Sequence, residues 1–342
     1  DGGSFTFFSC GDDWAIEPGY GDADTGDGLN LYDHNSVGID GGGYNISGAY
    51  SVPAATANFG GFAHFDDVAL SAGASTAIAN LTNAWTLTAT PYVQRDLRYT
   101  TMISGAERPY LIVADDIQKD SSTHSYEWYL HTGIGNTASI SGNRATITGG
   151  RAGAAMDLYS LGPESVTITS ADSYVGNLGT HKRLVVKASG VQQARFLHLL
   201  IPGSPGAVKP TITNSAVIGG TQAVVSWPDG TADTVLWRYT GSSITSTNGI
   251  DSDAKLTVVR SSGSSTTGLV AVAGRSVQRD SAPLLSVADG SAPVTVSAFG
   301  ATAALYATDA AVIRLALPFV TAATVEDGAV SIPIYNNGTA AF

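Results

Sequence analysis

Apolar and polar residues alternate in short runs along most of this chain, and clusters of Gly, Pro, Asn and Asp separate the runs. A period of two places successive side chains on opposite faces of an extended backbone, so each run reads as a strand with one buried face. A first series covers 4–9, 14–17, 36–40, 110–114, 124–131, 144–148, 165–169, 183–188 and 195–201. A second covers 222–227, 234–239, 255–260, 268–273, 294–298, 303–307 and 312–317, with Pro228-Asp-Gly230 supplying turn chemistry between two of its members. Between the series lies Pro202-Gly-Ser-Pro-Gly206, with Pro210 just beyond, a stretch too rich in Pro and Gly for a strand interior and read as a sheet-to-sheet connection. The main helical candidate is 75–84, where Ala, Ile and Leu recur although Thr and Asn interrupt them. No solenoid or propeller repeat is present. The pattern predicts an all-β fold, a large antiparallel β-sandwich of two stacked sets of sheets, with a sandwich core at 1–205 and a continuing β-sheet region with a C-terminal tail at 206–342.

Composition agrees with the pattern. Only 13% of the 342 residues are charged, while Gly, Ser, Thr, Ala and Val dominate, a balance that suits turns and pleated strands better than surface helices. The apolar stretches are short, none approaching the roughly 18 residues of a membrane-spanning helix. A formal net charge of −12 argues against a nucleic-acid partner, since phosphate binding needs clustered Lys and Arg and the richest cluster is His181-Lys-Arg183. The same charge repels an acidic polysaccharide at long range, so such a partner requires a local cationic or metal-lined groove. Few lysines, a Ser/Thr/Gly-rich surface and sequons at Asn45, Asn80 and Asn337 lead to the expectation of an extracellular or periplasmic protein. Asp1 already stands in a strand-like pattern, so a segment upstream of it is expected. The single cysteine, Cys10, excludes an intrachain disulfide and reads as a buried structural thiol.

Three motifs carry a resemblance. Asp1-Gly-Gly-Ser-Phe5, Trp14-Ala-Ile-Glu-Pro-Gly-Tyr20 and His34-Asn-Ser-Val-Gly-Ile-Asp-Gly41 have the order and spacing of the β-domain core of the heparinase II/III-like polysaccharide lyases. Arg98, Glu107-Arg-Pro-Tyr-Leu-Ile-Val-Ala-Asp-Asp116 and His124-Ser-Tyr-Glu-Trp-Tyr-Leu-His131 resemble the same family's next strands. The resemblance covers residues 1–135; beyond them it rests on β-richness and on the 268–274 segment. It implies an N-terminal α/α toroid followed by a β-sandwich, of which this chain holds only the second part, so that a toroid segment or partner chain would complete the lyase. It also implies β-elimination on a polysaccharide containing uronic acid. In that chemistry a base removes the C5 proton, the sugar carboxylate is neutralised and a tyrosine serves as acid. Several family members hold a Zn²⁺ in the β-domain, and the matching ligands here are Glu17, where Asp is usual, and His34, with a third histidine expected upstream of Asp1. Tyr20 matches a tyrosine that lines the cleft, as catalytic acid and as a contact to the acidic sugar.

Each of these residues also has a plain structural role open to it. His34 is either a ligand or a histidine bonded to backbone, and Glu17 either a ligand or the cap of a turn before Pro18. Tyr20 is either the acid or a turn-packing aromatic whose phenol, near pKa 10, needs tuning before it can transfer protons. Arg95 and Arg98 either bind a sugar carboxylate, the substrate-binding role given to Arg98, or form structural ion pairs. Asp12-Asp13 and Asp115-Asp116 read as solvated turn acids, and His64 as a loop histidine. His124 and His131, seven apart on one strand, face opposite sides, one buried and one exposed. Two functions follow: the β-domain portion of a secreted polysaccharide lyase, or a non-catalytic carbohydrate-binding or structural extracellular β-sandwich.

Overall fold

The computed structural model describes residues 3–17, 34–41, 63–85, 93–104, 108–175, 179–299, 301–307, 313–320, 322–325, 330–331 and 340–341. Among them the regular structure is strand throughout, apart from one 3-10 turn at Thr82–Trp85. The all-β expectation holds, in multiple sheets paired almost entirely antiparallel. Two compact units divide the chain: 1–64, 79–98 and 113–207 in one, and 65–78, 99–112 and 208–342 in the other. Where the sequence pattern was divided at 205/206, the last boundary between these units falls at 207/208, and the second unit also takes two earlier segments.

The first fourteen strands are β1 (Phe7–Ser9), β2 (Asp12–Ala15), β3 (Val37–Ile39), β4 (His64–Leu70), β5 (Ala74–Asn80), β6 (Arg95–Ile103), β7 (Tyr110–Gln118), β8 (His124–His131), β9 (Thr137–Ser141), β10 (Arg144–Thr148), β11 (Ala155–Ser160), β12 (Val166–Val175), β13 (Gly179–Val191) and β14 (Ala194–Gly203). They form a β1-β2 hairpin, an eight-stranded sheet in the order β4-β5-β6-β7-β14-β11-β10-β9, and a four-stranded sheet in the order β12-β13-β8-β3. In the four-stranded sheet, alternation decides the faces. Tyr126, Trp128 and Leu130 of β8, with Leu184, Val186 and Ala188 of β13, are buried on the core side. Trp128 meets the ring of His198 on β14 at 4.1 Å, which marks where this sheet packs on the eight-stranded one. Burial and the charge of Arg98 push the His198 pKa down to about 3, so the ring is a neutral core group.

The second unit's strands build a nine-stranded sheet running from Thr211–Val217 to Val330–Ser331, and a six-stranded sheet running from Ile244–Thr245 to Ala340–Ala341. Leu236, Val259, Leu269, Val296 and Leu305 of the first pack in one core with Ile250, Val277, Leu285 and Leu315 of the second. One pair among the described residues is parallel, Thr302–Ala307 with Ala322–Val325. Within this unit the buried Asp233 carboxylate accepts the Tyr110 hydroxyl at 2.8 Å and two Arg260 nitrogens at 2.7 Å each.

Several expectations are corrected. The helical candidate at 75–84 is strand β5 followed by the 3-10 turn; Ala74, Thr76 and Ile78 are buried at every second position, and Thr76 Oγ1 lies 2.8 Å from Thr101 Oγ1 on β6. Tertiary pairing outweighs the helix propensity of the alanines. Asp115 and Asp116 lie on β7, not in a turn: Asp115 is fully buried against Arg98, and Asp116 pairs with Arg95. Asp12 is likewise a buried acceptor on β2. It takes the backbone N–H groups of Arg151 and Ala152 at 3.2 and 2.9 Å, and its carboxylate occupies the space that a Cβ at Gly149 would need. Asp13 pairs with Arg151 at 2.8 Å. Cys10 is half-buried, in a β1-β2 turn where Cys10 and Gly11 both have positive φ, the geometry of a tight two-residue hairpin.

Asp233→Ala leaves a guanidinium and a phenol without their shared acceptor, so a loss of about 3–5 kcal/mol is expected. Urea unfolding tests it, and a midpoint equal to wild type would refute the role. A second prediction concerns His124, half-buried, whose Nδ1 lies 2.8 Å from Asp40 and Nε2 3.0 Å from Asp120. Burial pulls its pKa down, but the two carboxylates outweigh this and hold it above the ordinary histidine value. A group whose pKa is raised on folding stabilises fully below its unfolded value, about 6.5, and the contribution is lost as pH rises through the folded value. Wild type should therefore lose urea resistance relative to His124→Gln as pH rises above about 6.5; a difference that does not change with pH would rule out the clamp.

Candidate functional site

Glu17 and His34 are seventeen residues of chain apart, yet the strands that precede and follow them bring both to the same end of β8. On one side, Ile16 N donates to the His131 carbonyl at 2.8 Å, which holds the segment after β2 against the end of β8. On the other, β3 pairs with β8 through Val37 opposite Trp128, and Tyr129 N donates to the Ser36 carbonyl at 2.9 Å. The outcome is direct contact between His34 Nδ1 and Glu17 Oε1. Ser4 Oγ donates to the other oxygen, Glu17 Oε2, at 2.5 Å. The His34 side chain is buried, while that of Glu17 is one-third exposed. Burial pushes the Glu17 pKa up, but the hydrogen bonds from His34 and Ser4 and the charges of His34 and His131 outweigh it, and its carboxyl is held below the usual value.

Asn35 fastens this arrangement. Its Nδ2 donates to the carbonyls of Phe5 at 2.7 Å and Ile16 at 2.8 Å, while its Oδ1 accepts the backbone N–H of His131 at 2.7 Å. One fully buried side chain thus ties together the stretch before β1, the end of β2 and the end of β8. Beneath it, Arg98 donates from Nη1 to the carbonyls of Gly3 and, at 2.6 Å, Asn35. Its Nε and Nη2 take the two oxygens of Asp115 at 2.6 and 3.2 Å. Beyond His131, whose Nδ1 lies 2.8 Å from His181 Nε2, the site face continues onto β13.

The structure therefore brings Glu17 and His34 together as the motifs imply and sets His131 beside them. Tyr20 and Asp1 lie outside the described residues. Arg98 is 2% exposed and its donors are held by Asp115, Gly3 and Asn35, which makes it a support beneath the site and takes up the groups that would face a sugar. His64, at the start of β4, is exposed. Asn35, Ser4, His131 and His181 were not assigned to the site from sequence. Asn35 stands inside the His34 motif, and the two buried histidines lie on the paired strands β8 and β13, but only strand pairing reveals either role. As to metal, Glu17 and His34 are two donors of the right chemistry, short of the three or four protein ligands zinc requires, and no group of three or more His, Cys, Asp or Glu among the described residues is arranged to hold an ion.

Comparison with solved structures identifies the fold. The heparan sulfate lyase HepC from Pedobacter heparinus superposes with a TM-score of 0.50 at 15% identity, over 77% of this chain and 36% of the lyase, its β part. A heparinase III gives 0.49 at 11% identity over 77% and 36%, and another heparinase III gives 0.46 at 11% over 69% and 34%. The chain thus spans about a third of the length of these lyases. No family model and no curated protein matches it. At this identity the likeness is one of fold: this is a heparinase-like β-sandwich.

Asn35→Ala removes three hydrogen bonds at once and strands two carbonyls and an amide in the interior, at about 1–3 kcal/mol each before relaxation. A net loss of about 3 kcal/mol in urea unfolding is expected, and an unchanged midpoint would remove Asn35 from its fastening role.

Proposed function

We propose that this chain is the β-domain portion of a secreted polysaccharide lyase that acts by β-elimination on a polysaccharide containing uronic acid, completed by a toroid segment or a partner chain. The observation that carries the reading is the Glu17–His34 pair, joined by Ser4 and set beside His131 in a fold shared with the β part of a heparan sulfate lyase. A structural patch of this kind needs only one buried acceptor for His34. Here a partly exposed carboxylate is held ionised between a hydroxyl and an imidazole, as a ligand or electrostatic group is.

In the elimination, a base takes the C5 proton, the electron pair forms the C4–C5 double bond, and the glycosidic oxygen leaves C4 with a proton from an acid. The acid is assigned to Tyr20, three residues beyond Glu17. Asn35 and Arg98 keep Glu17 and His34 in register and do not touch substrate. A Zn²⁺ would be held by Glu17 and His34 with a third ligand preceding Asp1, since two donors do not by themselves make the site.

The test uses the native protein with whatever segment or chain accompanies residues 1–342. Incubation with uronate polysaccharides should release ends carrying the C4–C5 double bond, detected by ultraviolet absorbance, and Tyr20→Phe should lower the rate by about 10²–10⁴. Elemental analysis should find about one zinc per chain, lost in His34→Ala. Polysaccharide that binds but stays intact, with no zinc, would overturn the lyase and leave the non-catalytic carbohydrate-binding sandwich.

A further inference from the structure

The face of the four-stranded sheet turned away from the core carries a cavity of about 470 Å³ that none of the residues above explains. Three strands supply its floor in register. Thr167 of β12, Lys187 of β13 and Glu127 of β8 stand abreast; Thr169, Val185 and Tyr129 form the next row; Arg183 begins the third, opposite His131. Rows two residues apart are separated by about 7 Å. The cavity therefore runs along the same sheet face that ends at His131 and the Glu17–His34 pair.

Its chemistry differs from that of the protein around it. In a chain of net charge −12, the lining holds two cations, Arg183 and Lys187, and one carboxylate, Glu127. That carboxylate is already engaged: Lys187 Nζ donates to one oxygen and the Tyr129 hydroxyl to the other, each at 2.6 Å. The lining thus holds two cations to one carboxylate, and the exposed hydroxyls of Thr167 and Thr169 add groups that both donate and accept. A planar guanidinium matches a carboxylate with two parallel hydrogen bonds, and hydroxyls beside an ion pair match the hydroxyls of a sugar ring.

We infer that this cavity is a subsite for one uronate unit of the polysaccharide, with Arg183 taking the sugar carboxylate and Thr167, Thr169 and the Lys187–Glu127 pair taking ring hydroxyls. The inference rests on the reading of the chain as a protein that acts on acidic polysaccharide. It also supplies the local cationic groove that an acidic chain needs to hold an acidic ligand.

Calorimetric titration of the 342-residue chain with a uronate oligosaccharide, and with a neutral one of equal length, tests it. Wild type should bind the acidic ligand more tightly, Arg183→Gln should weaken that binding by about tenfold or more, Thr169→Val should weaken it several-fold, and Arg183→Lys should recover part of the loss. Urea midpoints near wild type establish that each variant is folded. If both Arg183→Gln and Thr169→Val bind the acidic ligand like wild type, the subsite is overturned while the polysaccharide reading stands. If wild type binds acidic and neutral ligands equally, or neither, the subsite and the acidic substrate fall together. Loss of binding in Arg183→Gln with no elimination product from native protein would uphold the subsite and overturn the lyase.

Discussion

The buried ion pair of Arg98 with Asp115 is the contact on which the candidate site stands. A guanidinium and a carboxylate removed from water are costly unless every polar atom finds a partner, and here the pair meets that condition by turning its spare donors toward the backbone of Gly3 and Asn35. A demand for internal charge neutralisation on β6 and β7 thereby becomes a positional constraint on the backbone at Gly3 and Asn35. Asn35 transmits that constraint upward, since its own carbonyl is held by Arg98 while its side chain holds Phe5, Ile16 and His131.

This hierarchy separates what faces a ligand from what keeps it in place. Arg98 has the charge expected of a sugar-binding residue, and its motif position supports that expectation, but burial and geometry give it the supporting role. Arg183, which sequence reading saw only as part of the densest basic cluster, lines a cavity on a sheet face that leads to Glu17 and His34. Charge alone does not distinguish the two arginines. The strand parity of each, and the partner across the ladder, does.

Much of the architecture was legible because alternation is a local property. The strands at 124–131 and 144–148 coincide with β8 and β10, and the Pro202–Gly206 stretch lies where the chain leaves one sheet for another. β5 was illegible because Ala, Thr and Ile satisfy either period until Thr76 finds Thr101 on a neighbouring strand. Asp115 was misread because a buried carboxylate and a turn aspartate look alike until a cation 17 residues away is placed beside it. The Glu17–His34 contact was legible through motif order, whereas Asn35, Ser4 and His131 join it through backbone hydrogen bonds and strand pairing that no spacing rule encodes.

Strand β8 serves two masters by parity. Its even-numbered residues Tyr126, Trp128 and Leu130 fill the core, while Glu127, Tyr129 and His131 belong to the cavity and the site. A substitution at the half-buried Glu127 can rewrite what this face recognises without disturbing the interior, whereas insertion or deletion of a single residue would exchange the two sets. A lineage diversifying its ligands on such a scaffold would therefore accumulate point changes at alternate positions of β8 and β13 while keeping the lengths of both strands fixed.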